Sequence, residues 1–119
     1  MNAVRSDVEQ LVKKELESAN KRFPAFHSPH EGWAVIREEY EELQQETEYV
    51  EECLNILWSR IRHNAELDTG FPTTKIKERA IAAACEAIQV AAMAQKYIEM
   101  LDGQEILRLD EQLRERDKA

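Results

Sequence analysis

The chain contains few of the residues that interrupt helices. Gly and Pro number only three each among 119 residues, and no stretch alternates apolar with polar residues as a half-buried strand does. A charged fraction of 34% together with so few turn residues is typical of long helices. Hydrophobic residues make up 43% of the chain. This fraction supplies a core and argues against an intrinsically disordered protein.

Basic residues and long apolar runs are also scarce. The formal net charge is −8, so nucleic acid is not expected as a partner, because no basic excess is available to neutralise phosphates. No apolar run reaches the roughly 18 residues of a membrane span, and the N-terminal MNAVRSDVEQ lacks the apolar core of a signal peptide. The two cysteines, Cys53 and Cys85, form no C-x-x-C pair and are expected to be buried free thiols. We therefore expect a cytoplasmic protein without a membrane segment.

Helical spacing predicts two helices in the first half of the chain. The first begins at Ser6, where Ser6 and Glu9 match a capping box, and ends near residues 20–22. The second begins at Ser28, followed by a proline suited to the first helical position. Its apolar stripe recurs every three or four residues, through Trp33, Ile36, Tyr40, Leu43, Thr47, Val50, Leu54, Leu57 and Ile61.

The third predicted helix has an unusual composition. It runs from Thr73 or Thr74 to about Asp102, with Gly103 as its C-terminal cap. Residues 104–119 form either a short charged fourth helix or a tail. Between residues 80 and 94 the sequence AIAAACEAIQVAAMA is apolar on nearly every side, and such a helix is expected to be enclosed by partners.

These helices indicate an all-α fold. We predict an antiparallel bundle of three to four helices in one domain spanning residues 1–119, with its core in about 26–101. Because so few helices cannot enclose the third one, a second copy of the chain is expected to complete the bundle.

Glu86 interrupts the apolar third helix with a carboxylate. Arg79, Gln89 and Lys96 share its side of the helix at 100° per residue. A buried carboxylate is costly unless it is paired or bound to a metal ion. Two interpretations follow, a structural ion pair with a base from another helix and a metal ligand.

The second helix carries a run of glutamates beside its apolar stripe. Glu39, Glu42 and Glu46 fall on one flank, and the first two lie one turn apart, so their carboxylates can converge. An acidic run of this kind is either a solvated face or, together with Glu86, a site with oxygen ligands. Oxygen ligands favour Mg²⁺ or Mn²⁺ over Zn²⁺. A ferritin-like di-iron site is excluded, because it needs two Glu-x-x-His pairs and the three histidines supply none.

Two segments carry a resemblance to a known family. HSPHEGWAVIREEYEEL and CEAIQVAAMAQKYIEML resemble the MazG-like, all-α nucleoside triphosphate pyrophosphohydrolases, especially short phage or bacterial members. The family pattern is E-E-x-x-E on one helix and E-x-x-D on a later one. Glu38, Glu39 and Glu42 match the first part, and Glu86 matches the start of the second. Gln89 stands where the pattern has Asp, which leaves the number of metal ions open.

The resemblance implies hydrolysis of a nucleoside triphosphate to a monophosphate and pyrophosphate, in a homodimer or homotetramer. Glu39, Glu42 and Glu86 would hold Mg²⁺, with Mn²⁺ as an alternative, and Gln89 would be a weaker or water-mediated ligand. Glu38 would either act on the attacking water as a catalytic group or lie on the surface.

The resemblance leaves the phosphate and base contacts less defined. Lys96, and more weakly Arg79, would contact phosphate. His30 and Trp33 either stack on the base or serve as helix-terminal and core residues. The competing function is a non-catalytic helical oligomerisation or regulatory module with a decayed metal site, which Gln89 would suit because an amide is neutral.

Overall fold

The computed structural model describes residues 3–118, and these form three α-helices. They are α1 (Arg5–Arg22), α2 (Pro29–Arg62) and α3 (Thr73–Lys118). The predicted all-α class is confirmed, since no strand occurs within the described residues. None of the helices described has a stretch long and apolar enough to cross a membrane.

The start of α2 follows the sequence closely. The Ser28 hydroxyl accepts a hydrogen bond from the Glu31 amide at 3.1 Å, which confirms Ser28 as the cap. The Glu31 carboxylate lies 3.0 Å from Nδ1 of the neighbouring His27. Helix α2 ends at Arg62, and α3 begins directly after Pro72, at Thr73 as predicted.

Three local predictions are wrong. Helix α1 begins at Arg5, and its cap Val4 makes no side-chain hydrogen bond, so Ser6 is not a cap. Helix α3 continues through Gly103 to Lys118, so Gly103 does not end it and no separate fourth helix exists within the described residues. Cys85 is exposed, whereas Cys53 is buried as expected, and both are free thiols.

The chain divides into two compact units. One contains the residues up to Ile36 and those from Ala91 onward, and the other is Arg37–Val90. In the first unit, α1, the start of α2 and the second half of α3 share a core of five buried side chains: Leu16, Phe26, Ala92, Met93 and Met100.

A glycine sets the distance between two helices of this first unit. Gly32 on α2 is buried, and a Cβ atom there would lie only 2.5 Å from Cδ2 of Tyr97 on α3. It would also lie 3.1 Å from Cδ2 of Phe26. The backbone of α2 therefore approaches these two rings more closely than a residue with a side chain would allow.

The second unit is an antiparallel pair formed by α2 and α3. Contacts run in opposite chain directions, since Glu42 lies near Glu86 and Tyr49 lies near Arg79. Arg60 secures the connection by donating a hydrogen bond to the Phe71 carbonyl at 2.5 Å, with its guanidinium over the Phe71 ring. This pairing places the glutamates of both helices side by side.

Within the described chain, the alanine-rich part of α3 is not enclosed. In the second unit, its exposed residues are Ala80, Ile81, Ala84, Cys85 and Ala87, and Ile81 is 56% exposed. The buried residues Ala92 and Met93 belong to the first unit. One chain alone therefore does not enclose this part of α3, and the cover expected from a second copy stays a prediction.

Candidate metal centre

Three glutamates from two helices converge in the second unit. Glu39 and Glu42 lie one turn apart on α2, and Glu86 projects from α3. One carboxylate oxygen from each lies within 4.8 Å of the other two. Glu39 and Glu86 are half-buried and Glu42 is exposed. The cluster is therefore partly sheltered by the helix pair and open to solvent at Glu42.

The environment of Glu86 disfavours a negative charge. Its Oε2 atom is buried and has no hydrogen-bond partner among the described residues. Burial raises the pKa of the Glu86 carboxyl, and a hydrogen bond with the Glu42 carboxyl and the negative charges of Glu42 and Glu46 raise it further. Two carboxyl groups can hydrogen-bond each other only when one is protonated. Without a cation, the cluster therefore holds a proton more readily than isolated glutamates do.

The structure argues against an ion pair as the role of Glu86. None of the ion pairs among the described residues involves Glu86, and the charged groups that act on it are acidic. Three carboxylates on rigid helices fit the oxygen ligands of Mg²⁺ or Mn²⁺. A divalent cation would relieve their repulsion and give Oε2 of Glu86 a partner.

An arginine lies beside this cluster. Arg79 Nη1 on α3 is 3.4 Å from both carboxylate oxygens of Glu46, which is one turn beyond Glu42 on α2. The Arg79 guanidinium carbon also lies 4.5 Å from the centroid of the Tyr49 ring. Sequence reasoning identified Arg79 but missed Tyr49, because the contact depends on how two helices align. The only sequence signal for Glu46 was its place on the flank with Glu39 and Glu42.

The remaining predicted ligand and catalytic residues lie nearby in sequence. Gln89 is half-buried one turn after Glu86. Glu38 is exposed and does not belong to the group of three converging carboxylates. Both interpretations of Glu38, a catalytic role and a surface role, therefore stay open.

Lys96, predicted as a phosphate contact, lies in the first unit, where its ammonium already contacts other groups of the chain. It is only 4% exposed. Its ammonium donates a hydrogen bond to the Phe23 carbonyl and lies 4.9 Å from the centroid of the Phe26 ring. These contacts hold the segment between α1 and α2 against α3.

The two predicted base contacts also lie in the first unit. His30 and Trp33, together with Pro29 and Tyr97, line an open cavity of about 250 Å³. Trp33 is 65% exposed, so it is not a core residue within the described chain. The aromatic lining is apolar and could receive a flat ring.

No known protein family, curated protein or solved structure matches this chain.

Proposed function

We propose that the chain is a Mg²⁺-dependent nucleoside triphosphate pyrophosphohydrolase of the MazG-like type. The observation that supports this function most is the convergence of Glu39, Glu42 and Glu86. The Glu86 carboxyl has a buried Oε2 atom, acidic neighbours in Glu42 and Glu46 and no ion pair among the described residues, so it fits a cation ligand better than a structural role. Mn²⁺ would satisfy the same oxygen ligands.

Each residue has a defined task in this proposal. Glu39, Glu42 and Glu86 hold the cation, and Gln89 is a weaker or water-mediated ligand because its amide is neutral. The cation supplies charge neutralisation of the triphosphate and lowers the pKa of water. Arg79 binds phosphate through its fork of N–H donors.

Four other residues keep less defined tasks. Glu38 either orients or deprotonates the attacking water or is a surface residue. Lys96 is a less suitable phosphate contact than Arg79, because its ammonium is bound to the Phe23 carbonyl. His30 and Trp33 remain candidates for stacking on the base.

The direct test is a panel of deoxyribo- and ribonucleoside triphosphates incubated with Mg²⁺ or Mn²⁺ and assayed for pyrophosphate. We expect release from at least one nucleotide, and E86Q should reduce it by ~10–100-fold or more, since even outer partners of metal sites have effects of that size. E48Q is the matched control, because Glu48 is an exposed glutamate of α2 outside the cluster. No release from any nucleotide, or full activity of E86Q, would contradict the proposal.

We also propose that a second copy covers the second unit. Only Cys53 and Pro72 are buried among residues 37–90, whereas Leu54, Trp58, Ile61 and Ile81 are each more than 40% exposed. Two helices alone cannot bury both of their apolar faces. Light scattering should give a mass of at least twice the 13.9 kDa of one chain, and a monomer at micromolar concentration would contradict this.

The competing function, a non-catalytic module with a decayed site, is favoured by Gln89 and by the exposed apolar surface. It predicts an assembled protein that releases no pyrophosphate. The nucleotide panel and light scattering together separate the two functions.

A further inference from the structure

Glu46 stands next to the carboxylate cluster but is held by a cation of the chain itself. It follows Glu42 by one helical turn on α2, and its charge acts on Glu86. Both of its oxygens lie 3.4 Å from Arg79 Nη1. This separation is longer than the roughly 2.7–2.9 Å of strong charge-assisted hydrogen bonds. The two side chains are also partly exposed, at 22% for Glu46 and 39% for Arg79. The ion pair therefore holds Glu46 only weakly.

Arg79 has a second anchor that does not depend on Glu46. Its guanidinium lies over the Tyr49 ring with 4.5 Å between the guanidinium carbon and the ring centroid, within the range of a cation–π contact. Arg79 therefore keeps its place if Glu46 turns away. Its N–H donors then become free while the side chain stays beside the cluster.

The proposed ligand set contains three carboxylates and the neutral amide of Gln89. Glu46 is not part of the converging group and lies one turn beyond Glu42. A divalent cation at Glu42 and Glu86 would attract Glu46, and it would compete with Arg79 for that carboxylate, since both cations need the same oxygens.

We propose, on the basis of the metal site assigned above, that Glu46 is a fourth carboxylate of this site and that Arg79 masks it in the metal-free protein. Metal binding draws Glu46 toward the cluster and releases Arg79. Arg79 stays over Tyr49 and then binds the polyphosphate. The metal ion and Arg79 are thus competitors for Glu46, whereas the metal ion and the polyphosphate assist each other.

Competition of this kind has a reciprocal signature in binding measurements. If Arg79 weakens metal binding through Glu46, removing Arg79 must strengthen metal binding by the same coupling factor. That gain must disappear when Glu46 is neutral. A general effect of positive charge near the cluster would not depend on Glu46 in this way.

The experiment measures Mn²⁺ affinity by calorimetry for wild type, E46Q, R79M and the double variant. We expect E46Q to weaken Mn²⁺ binding by ~10-fold and R79M to strengthen it by ~5-fold or more, in the range of typical coupling between sites. In the E46Q background, R79M should have no further effect. The matched controls are E48Q and K77M, which remove one exposed charge each from α2 and α3 and should leave the affinity within about twofold.

A second readout follows Arg79 after its release. With Mn²⁺ at saturation, inorganic triphosphate should bind R79M at least ~10-fold more weakly than wild type, because the bidentate phosphate donor is gone. Circular dichroism melts verify that each variant folds, and R79Q replaces R79M if the methionine variant does not.

The outcomes separate this inference from the proposed function. If wild type binds no Mn²⁺, the metal site itself fails. Only the role of Glu46 and Arg79 is overturned if wild type binds Mn²⁺, E86Q does not, and R79M has the Mn²⁺ affinity of wild type. The same holds if R79M strengthens Mn²⁺ binding equally in the wild-type and E46Q backgrounds.

Discussion

The carboxyl group of Glu86 carries a pH dependence that follows from its surroundings. In the folded chain without metal, burial is the main cause of its raised pKa, followed by the contact with Glu42. In the unfolded chain both causes vanish and the pKa returns to its ordinary value near 4.5. The folded state therefore binds the Glu86 proton more tightly than the unfolded state.

This difference predicts how stability changes with pH. Below the ordinary pKa, Glu86 is neutral in both states, and its contribution to the free energy of unfolding is fully present. As the pH rises from the ordinary pKa to the raised folded pKa, Glu86 ionises in the unfolded state before it ionises in the folded state. The free energy of unfolding therefore falls over this interval. E86Q has no proton to lose and lacks this fall. Urea unfolding of both proteins in a metal chelator, from about pH 4 to about pH 7, should show E86Q gaining stability relative to wild type.

The same measurement contains its own control. Millimolar Mg²⁺ favours the ionised carboxylates and should remove the loss of wild-type stability at higher pH. A difference between E86Q and wild type that stays constant across the pH range would contradict the raised pKa.

Some residue contacts could be predicted from the sequence and others could not. Glu39 and Glu42 converge because they lie one turn apart, which spacing alone dictates. The ion pair between Glu46 and Arg79 joins residues 33 positions apart and depends on how α2 aligns with α3. Spacing also placed Lys96 on the side of Glu86, but its long side chain reaches the Phe23 carbonyl instead.

At the scale of whole helices, local signals succeeded where several agreed. Ser28 and Pro29 together mark the start of α2, and the Ser28 cap is formed. Gly103 was a single signal, and one glycine disfavours a helix by only about 1 kcal/mol. With no proline after it, α3 continues to Lys118. The capping box of Ser6 and Glu9 is an exception, because the helix already includes Arg5 and no side chain caps it.

The two helical glycines give a matched prediction. G32A should lower the free energy of unfolding by ~1–3 kcal/mol, because its methyl group would meet the Tyr97 ring at 2.5 Å. G103A should raise it by up to ~1 kcal/mol, since nothing lies within 4 Å of a Cβ there and alanine favours a helix. Denaturant unfolding of both variants checks the pair. Equal effects of the two changes would show that Tyr97 does not limit the space at Gly32.

At the scale of the whole molecule, the apolar surface of one chain exceeds what its own packing covers. The sequence predicts that the alanine-rich part of α3 is enclosed with the help of a second copy, and in one chain Ala80, Ile81 and Ala84 are exposed. Composition shows that a face is apolar, but it does not show which chain covers it. Three helices share one small core in the first unit, and the second unit has two helices with few buried side chains. We expect a second copy of the chain to cover this apolar surface.

The central claim is that Glu86 serves a cation held jointly with Glu39 and Glu42. The measurement that tests it most directly is the thermal melt of wild type and E86Q, at equal chain concentration, with and without millimolar Mg²⁺ or Mn²⁺. A cation at 100 times its Kd stabilises the folded state by about 2.7 kcal/mol, which corresponds to a rise in Tm of several degrees. We predict this rise for wild type and for the E48Q control and its loss in E86Q, whose metal-free Tm should equal or exceed that of wild type. A wild-type Tm that does not respond to either cation, or an E86Q protein that loses stability equally with and without metal, would contradict the claim.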